Sequence, residues 1–223
     1  MVTSCAVYNI TRDIDIDDVY SRFTSGGASY NRPPSHVDDP LLTDVSNVQR
    51  TSEGIECTVR YDIEDTVPVR EGEDPWIDTL KTTTVRISEN NFILNKFDSK
   101  TKAAREVGRV LEIGTDGYDP VEFSSATILG VVAEDSEGTN QETWKNPTEH
   151  ADTATLYGDI SDSALAADFD TDGRPSWVRF ESSQYPQREV GISSNKDSVV
   201  FVGDWDFPEM ESYISNVVIP NNS

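Results

Sequence analysis

The sequence predicts an α+β protein built on an internally duplicated antiparallel sheet, with helices packed on one face and a hairpin-plus-helix unit occurring twice. Three observations predict it. Residues 54–63 alternate apolar and polar without a break, the signature of a strand with one buried face. Residues 83–111 read as two short strands, a turn and an amphipathic helix. Residues 189–218 repeat that order about half a chain later.

In chain order, residues 5–10 form a first short strand, and residues 15–23 a helix with Ile16, Val19, Tyr20 and Phe23 on one face. In the strand at 54–63, Ile55, Cys57, Val59, Tyr61 and Ile63 point inward, while Glu56, Thr58, Arg60 and Asp62 point outward. Strands at 83–88 and 92–97 are joined by a turn at Glu89-Asn90-Asn91. Ser99 then caps a helix whose apolar positions are Ala103, Ala104, Val107, Val110 and Leu111, and Gly114 ends it.

In the second half, residues 126–133 are expected as a strand, 134–150 as an acidic loop and 161–168 as a weaker helix. Strands at 177–182, 189–193 and 198–202 follow, the last two joined by the turn 194–197. The final helix opens at Asp206, with Pro208 in its first turn and Glu209 completing a capping box. Met210, Tyr213, Ile214, Val217 and Val218 form its buried face. The expected halves are 1–114 and 115–223, within one pseudo-symmetric domain.

The order strand, helix, three strands, helix, read twice, resembles the saddle of the TATA-box-binding protein family, in which two such halves form one curved antiparallel sheet. The resemblance implies a sheet platform for nucleic acid or for a protein partner in archaeal information processing. That family's paired phenylalanines have no counterpart: Phe92 and Phe97 lie near the first hairpin, but Val200 and Phe201 do not reproduce them in the second. DNA kinking is therefore not implied.

Composition names a habitat. The chain carries 41 Asp and Glu against 18 Lys and Arg, a formal charge of −23, and only six of the cations are Lys. A dense hydrated carboxylate coat keeps a fold soluble where molar salt shortens the Debye length to about 3 Å. The acids run along the whole chain, so halophilic adaptation explains them better than an acidic tail or a nucleic-acid mimic. No apolar run is long enough to span a bilayer, and residues 1–12 show no secretory leader. The expected location is the cytoplasm or a virion. Cys5 and Cys57 are too far apart for a zinc motif and fall on apolar strand faces, as buried free thiols.

Arg60, Arg86, Arg179 and Trp177 fall on the polar sides of expected strands, with Thr58 and Thr84 beside the first two. Together they would make a face able to track a phosphate backbone while Trp177 stacks on a base. The competing reading pairs each arginine with a cross-strand carboxylate such as Glu56, Asp62 or Glu181.

One local motif points to a metal. Asp168, Asp170 and Asp172 with Gly173 form a D-x-D-x-D-G sequence, three alternating carboxylates able to converge on Ca2+. The Arg174 backbone carbonyl and Ser176 occupy the next two ligand positions. The stretch resembles the calcium loop of integrin-type FG-GAP repeats, which implies a structural Ca2+. An EF-hand would need Glu where Arg179 stands. The plain alternative is a solvated acidic turn.

Catalysis has little support. His36 and His150 lie in no metal or triad spacing, and no phosphate-binding loop or dinucleotide fingerprint occurs. The Asp13, Asp15, Asp17 and Asp18 cluster suits the start of a helix better than a metal. The expected function is non-enzymatic binding of nucleic acid or protein. The alternative is a structural or assembly protein, such as a virion component of a haloarchaeal virus, in which a homo-oligomer is natural. A metal-dependent hydrolase using the three aspartates comes third.

Overall fold

Strand β1 (Val2–Ile10) serves two units in this computed structural model, which describes residues 2–222 except 53, 68–74, 96, 98, 161 and 162, and only the backbone at 167 and 170–172. The N-terminal unit is Val7–Pro120; the C-terminal unit combines Met1–Ala6 with Val121–Ser223. The expected α+β class with antiparallel strand pairing holds in both.

In the N-terminal unit β1 is followed by helix α1 (Ile16–Thr24), which starts where Asp15 caps the backbone N–H groups of Asp17 and Asp18 at 2.8 and 3.2 Å. Asp15, Asp17 and Asp18 of the aspartate cluster thus serve a helix start, and Asp17 also pairs with Arg50 at 2.7 Å. Strands β2 (Tyr30–Arg32), β3 (Leu41–Arg50), β4 (Ile55–Thr66), β5 (Trp76–Ile87) and β6 (Asn91–Asn95) lie side by side in that order. The alternating stretch is β4, paired with β5 from Ile55↔Ile87 to Thr66↔Trp76 without a slip. Helix α2 (Lys100–Val110) follows, buries Ala103, Ala104, Val107 and Val110, and ends earlier than expected because Glu112, next to its C-cap Leu111, already takes the left-handed conformation that Gly114 also adopts. Strand β7 (Tyr118–Pro120) pairs with the Tyr8–Ile10 end of β1.

Two expectations for the C-terminal unit are corrected. Residues 126–133 are not a strand but part of helix α3 (Ser125–Asp135), started by a reciprocal capping box between Ser124 and Thr127. A short apolar run does not distinguish strand from helix by period, and here the cap decides it. Residues 134–150 are not a loop: most of them form strand β8 (Ser136–Thr148), which buries Trp144 fully.

Strand β9 (Ala151–Tyr157), helix α4 (Ala164–Asp172), strands β10 (Arg174–Ser182), β11 (Glu189–Ser193) and β12 (Ser198–Val202), and helix α5 (Phe207–Tyr213) complete the unit. The strand order is β9-β8-β10-β11-β12, with Val2–Cys5 of β1 against β12. The Asp206–Glu209 capping box forms in both directions, and α5 runs on as a π-helical turn (Ile214–Val218). All five apolar positions expected on its inner face are buried.

Hairpins β5–β6 and β11–β12 each lead into a helix, as the sequence predicts. The elements before them differ: α1, β2 and β3 in one unit, α3, β8, β9 and α4 in the other. Cys5 and Cys57 are free and buried. Among the described residues no helix is long and apolar enough to cross a membrane.

Candidate functional site

The expected sheet-face arginines are largely committed to partners. Arg60 makes a bidentate pair with Asp44, its direct cross-strand neighbour, with Nε at 3.0 Å and Nη2 on the second oxygen. Arg86 is buried, not solvent-facing; β5 is flanked by β4 and β6, and its Nη1 lies 3.9 Å from Glu56, the residue across from it. Arg179 Nε lies 3.7 Å from Glu189, which also accepts from Asn140 at 2.6 Å. Cross-strand pairing of this kind neutralises each arginine locally. Arg60 and Arg86 belong to the N-terminal unit, Arg179 and Trp177 to the C-terminal one.

The D-x-D-x-D-G stretch is helical through Asp172, so Asp168, Asp170 and Asp172 lie on α4 and not in a loop; Gly173 is its C-cap, donating to the Phe169 carbonyl at 2.7 Å. The Asp170 and Asp172 side chains fall outside the described residues. Arg174 opens β10, and the Ser176 hydroxyl donates to the Thr143 carbonyl at 3.2 Å. Phe169 reaches inward, edge-on to Trp144 at 5.3 Å, in a small core with Ile160 and Ala166.

A different place gathers positive charge. On α2, Lys102, Arg105, Glu106 and Arg109 follow one another at i, i+3, i+4 and i+7, which puts them on one stripe beside the apolar face. This stripe lines a cleft of 280 Å³ whose other walls are Arg32 from β2, His36, Ile63 and Glu64 from β4, and Trp76 from β5. Four guanidinium or ammonium groups face two carboxylates there, in a protein of net charge −23.

Both carboxylates have structural work. Glu106 is buried; it accepts from the Thr43 hydroxyl at 2.6 Å and from Arg109 Nε at 3.1 Å, and lies 3.7 Å from Arg32 Nε. It fixes two of the four cations in place. Glu64 accepts from the backbone N–H groups of Ser35, His36 and Val37. Burial works against its charge, but these three donors outweigh it and hold the carboxyl below its usual range. Lys102 and Arg105 are exposed and have no ion pair among the described residues. Arg32 Nε is buried with no hydrogen-bond acceptor, while its Nη2 donates to the Asp62 carbonyl.

The aromatic wall is equally specific. His36 stacks on Trp76 with ring centroids 3.9 Å apart and planes 15° off parallel, and Trp76 is half-exposed. The cleft thus joins unneutralised cations to a flat aromatic stack, a chemistry suited to a phosphate with an attached ring.

Sequence reasoning missed this cleft, although one signal was present. Five of the 18 cations fall within residues 96–109, which hold only two acids. No family model and no curated protein matches this chain, so its own geometry carries the functional reading.

Proposed function

We propose that the chain is a non-enzymatic binding protein of a salt-adapted organism and that it takes single-stranded nucleic acid in the α2 cleft. The observation that carries this is the convergence of Arg32, Lys102, Arg105 and Arg109 on one cleft in a strongly acidic molecule. Lys102 and Arg105 contact phosphates, Arg109 and Arg32 are held ready by Glu106, and a base continues the His36–Trp76 stack. The acidic coat elsewhere repels a polyanion, which restricts binding to this place. Such a partner is met in the cytoplasm or within a virion. The hairpin-plus-helix found in both units supports an internal duplication, although only the N-terminal copy carries the basic stripe.

The test is an anisotropy titration of a labelled single-stranded oligonucleotide at decreasing KCl, down to the lowest salt at which the near-UV circular dichroism stays native. Contact with three phosphates gives a slope of log K against log salt of about −2. Trp76→Ala weakens binding by about 1–3 kcal/mol through lost stacking. Absence of binding at every salt concentration overturns the reading.

A second reading, assembly, is favoured by the β4–β5 hairpin. Leu80 stands directly across from Asp62, whose carboxylate accepts from the Leu42 backbone N–H on β3 at 2.9 Å, and both leucines are exposed, Leu80 to 62%. Light scattering in molar KCl distinguishes it: a discrete oligomer dissolved by Leu80→Glu, with no oligonucleotide binding, supports assembly.

A further inference from the structure

We propose that the C-terminal unit carries a saccharide-binding site on the outer face of β8, β10 and β12, independent of the phosphate cleft. Its floor is Trp177. The benzo half of the indole lies across Gly191 on the neighbouring strand β11, where a Cβ would come within 2.4 Å of Cη2 and 2.8 Å of Cζ2. Glycine at 191 is what allows the ring to close on the β11 backbone, and Trp177 also lines a cavity of 440 Å³. That volume is in the range of small-ligand pockets. Tyr157 stands at the rim, 73% exposed.

The walls are polar and almost uncharged. Eleven residues line the cavity and none is Asp or Glu, in a chain where 41 of 223 residues are acidic. The only charged group among them is Lys196. The side chains of Ser4, Gln141, Asn195 and Ser198 line the cavity and make no hydrogen bond within the described protein. Thr143 and Thr155 join hydroxyl to hydroxyl at 2.9 Å, which leaves each oxygen further capacity. An aromatic plane surrounded by unspent hydroxyl and amide groups matches a pyranose ring, whose C–H face stacks on an indole while its hydroxyls both donate and accept. A nucleotide fits worse, because a single lysine is the only counter-charge for its phosphate. A neutral sugar also releases no counterions, so its binding is independent of the salt this surface is suited to.

The test is saturation-transfer NMR and calorimetry on the full chain in molar KCl. The probes are methyl glucoside, methyl galactoside, methyl mannoside and N-acetylglucosamine, with adenosine and uridine as controls. At least one glycoside is expected to bind saturably, with an affinity unchanged as KCl is lowered. Trp177→Ala should weaken it about tenfold or more. Gln141→Ala should weaken it by about threefold to tenfold. Tyr157→Ala, at an exposed rim position, keeps the test valid if Trp177→Ala fails to fold, and it too should lower affinity. No saturable binding of any glycoside overturns the proposal, as does binding indifferent to Tyr157→Ala and Gln141→Ala. Binding of the nucleosides alone overturns it in favour of a base pocket. Loss of oligonucleotide binding in Lys102→Glu leaves this result untouched, so the two sites fail separately.

Discussion

Asp135→Ala is expected to destabilise the C-terminal unit by about 3–5 kcal/mol, the largest effect of any single substitution considered. Asp135 is fully buried at the last position of α3, where the helix dipole disfavours a carboxylate. Four donors compensate: the Tyr213 and Ser182 hydroxyls, each at 2.7 Å, the Ser183 hydroxyl at 3.0 Å and the Gln184 backbone N–H at 2.9 Å. The carboxylate thereby ties α3 to the turn after β10 and to α5. Burial, and then the bond to Asp135, push the Tyr213 phenol far above its ordinary range, so it stays a donor. Removing the carboxylate leaves the Tyr213 and Ser182 hydroxyls buried without this acceptor, while Ser183 and Gln184 are exposed and can turn to water. Tyr213→Phe removes one donor and should cost only about 1–2 kcal/mol. Calorimetric unfolding of the two variants checks the order; equal losses would contradict a network centred on Asp135.

Stability is expected to fall steeply between pH 9 and 12. Burial pushes the thiols of Cys5 and Cys57 up from 9.0 to about 12, the charge of Glu56 adding to the effect at Cys57. A group whose folded pKa is raised holds its full contribution below the unfolded value and loses it as pH rises toward the folded one. At about 1.4 kcal/mol per unit, each thiol removes about 4 kcal/mol by the upper end of that window. Tyr213, also raised, adds to the loss above its ordinary value of 10.0. Denaturant midpoints measured from pH 8 upward should fall less steeply in Cys5→Ala/Cys57→Ala than in the parent. Parallel pH profiles would show that the thiols play no part.

Much of this fold is legible in the sequence where two local signals agree. In α5 the Asp206–Glu209 capping box and the apolar spacing from Met210 to Val218 point to the same helix, and the buried face follows residue for residue. In β4 the unbroken alternation leaves no competing period. At 126–150 the signals conflict. Ala126 to Ala133 is apolar nearly throughout, and β8 mixes Gly, Asn and Pro with register shifts against β10, so neither segment shows its period.

The candidate site is less legible for a different reason. Lys102, Arg105 and Arg109 are visible as a stripe, but Arg32, His36, Glu64 and Trp76 come from elements far apart in sequence and meet only through strand pairing and the stack of His36 on Trp76. The sheet-face arginines show the converse. Alternation places Arg60 and Arg86 on one face and offers Glu56 as a carboxylate partner, yet only register shows that Glu56 faces Arg86 and that Asp44 stands opposite Arg60.

The central claim is that binding resides in the α2 cleft and not on the sheet face. One parallel oligonucleotide titration of Lys102→Glu/Arg105→Glu and of Arg60→Glu tests it most directly. The predicted result is loss of binding in the first and near-parent affinity in the second, because the Arg60 charge is already neutralised by Asp44. Retained binding in the double variant, or loss in Arg60→Glu alone with the fold intact, would contradict it.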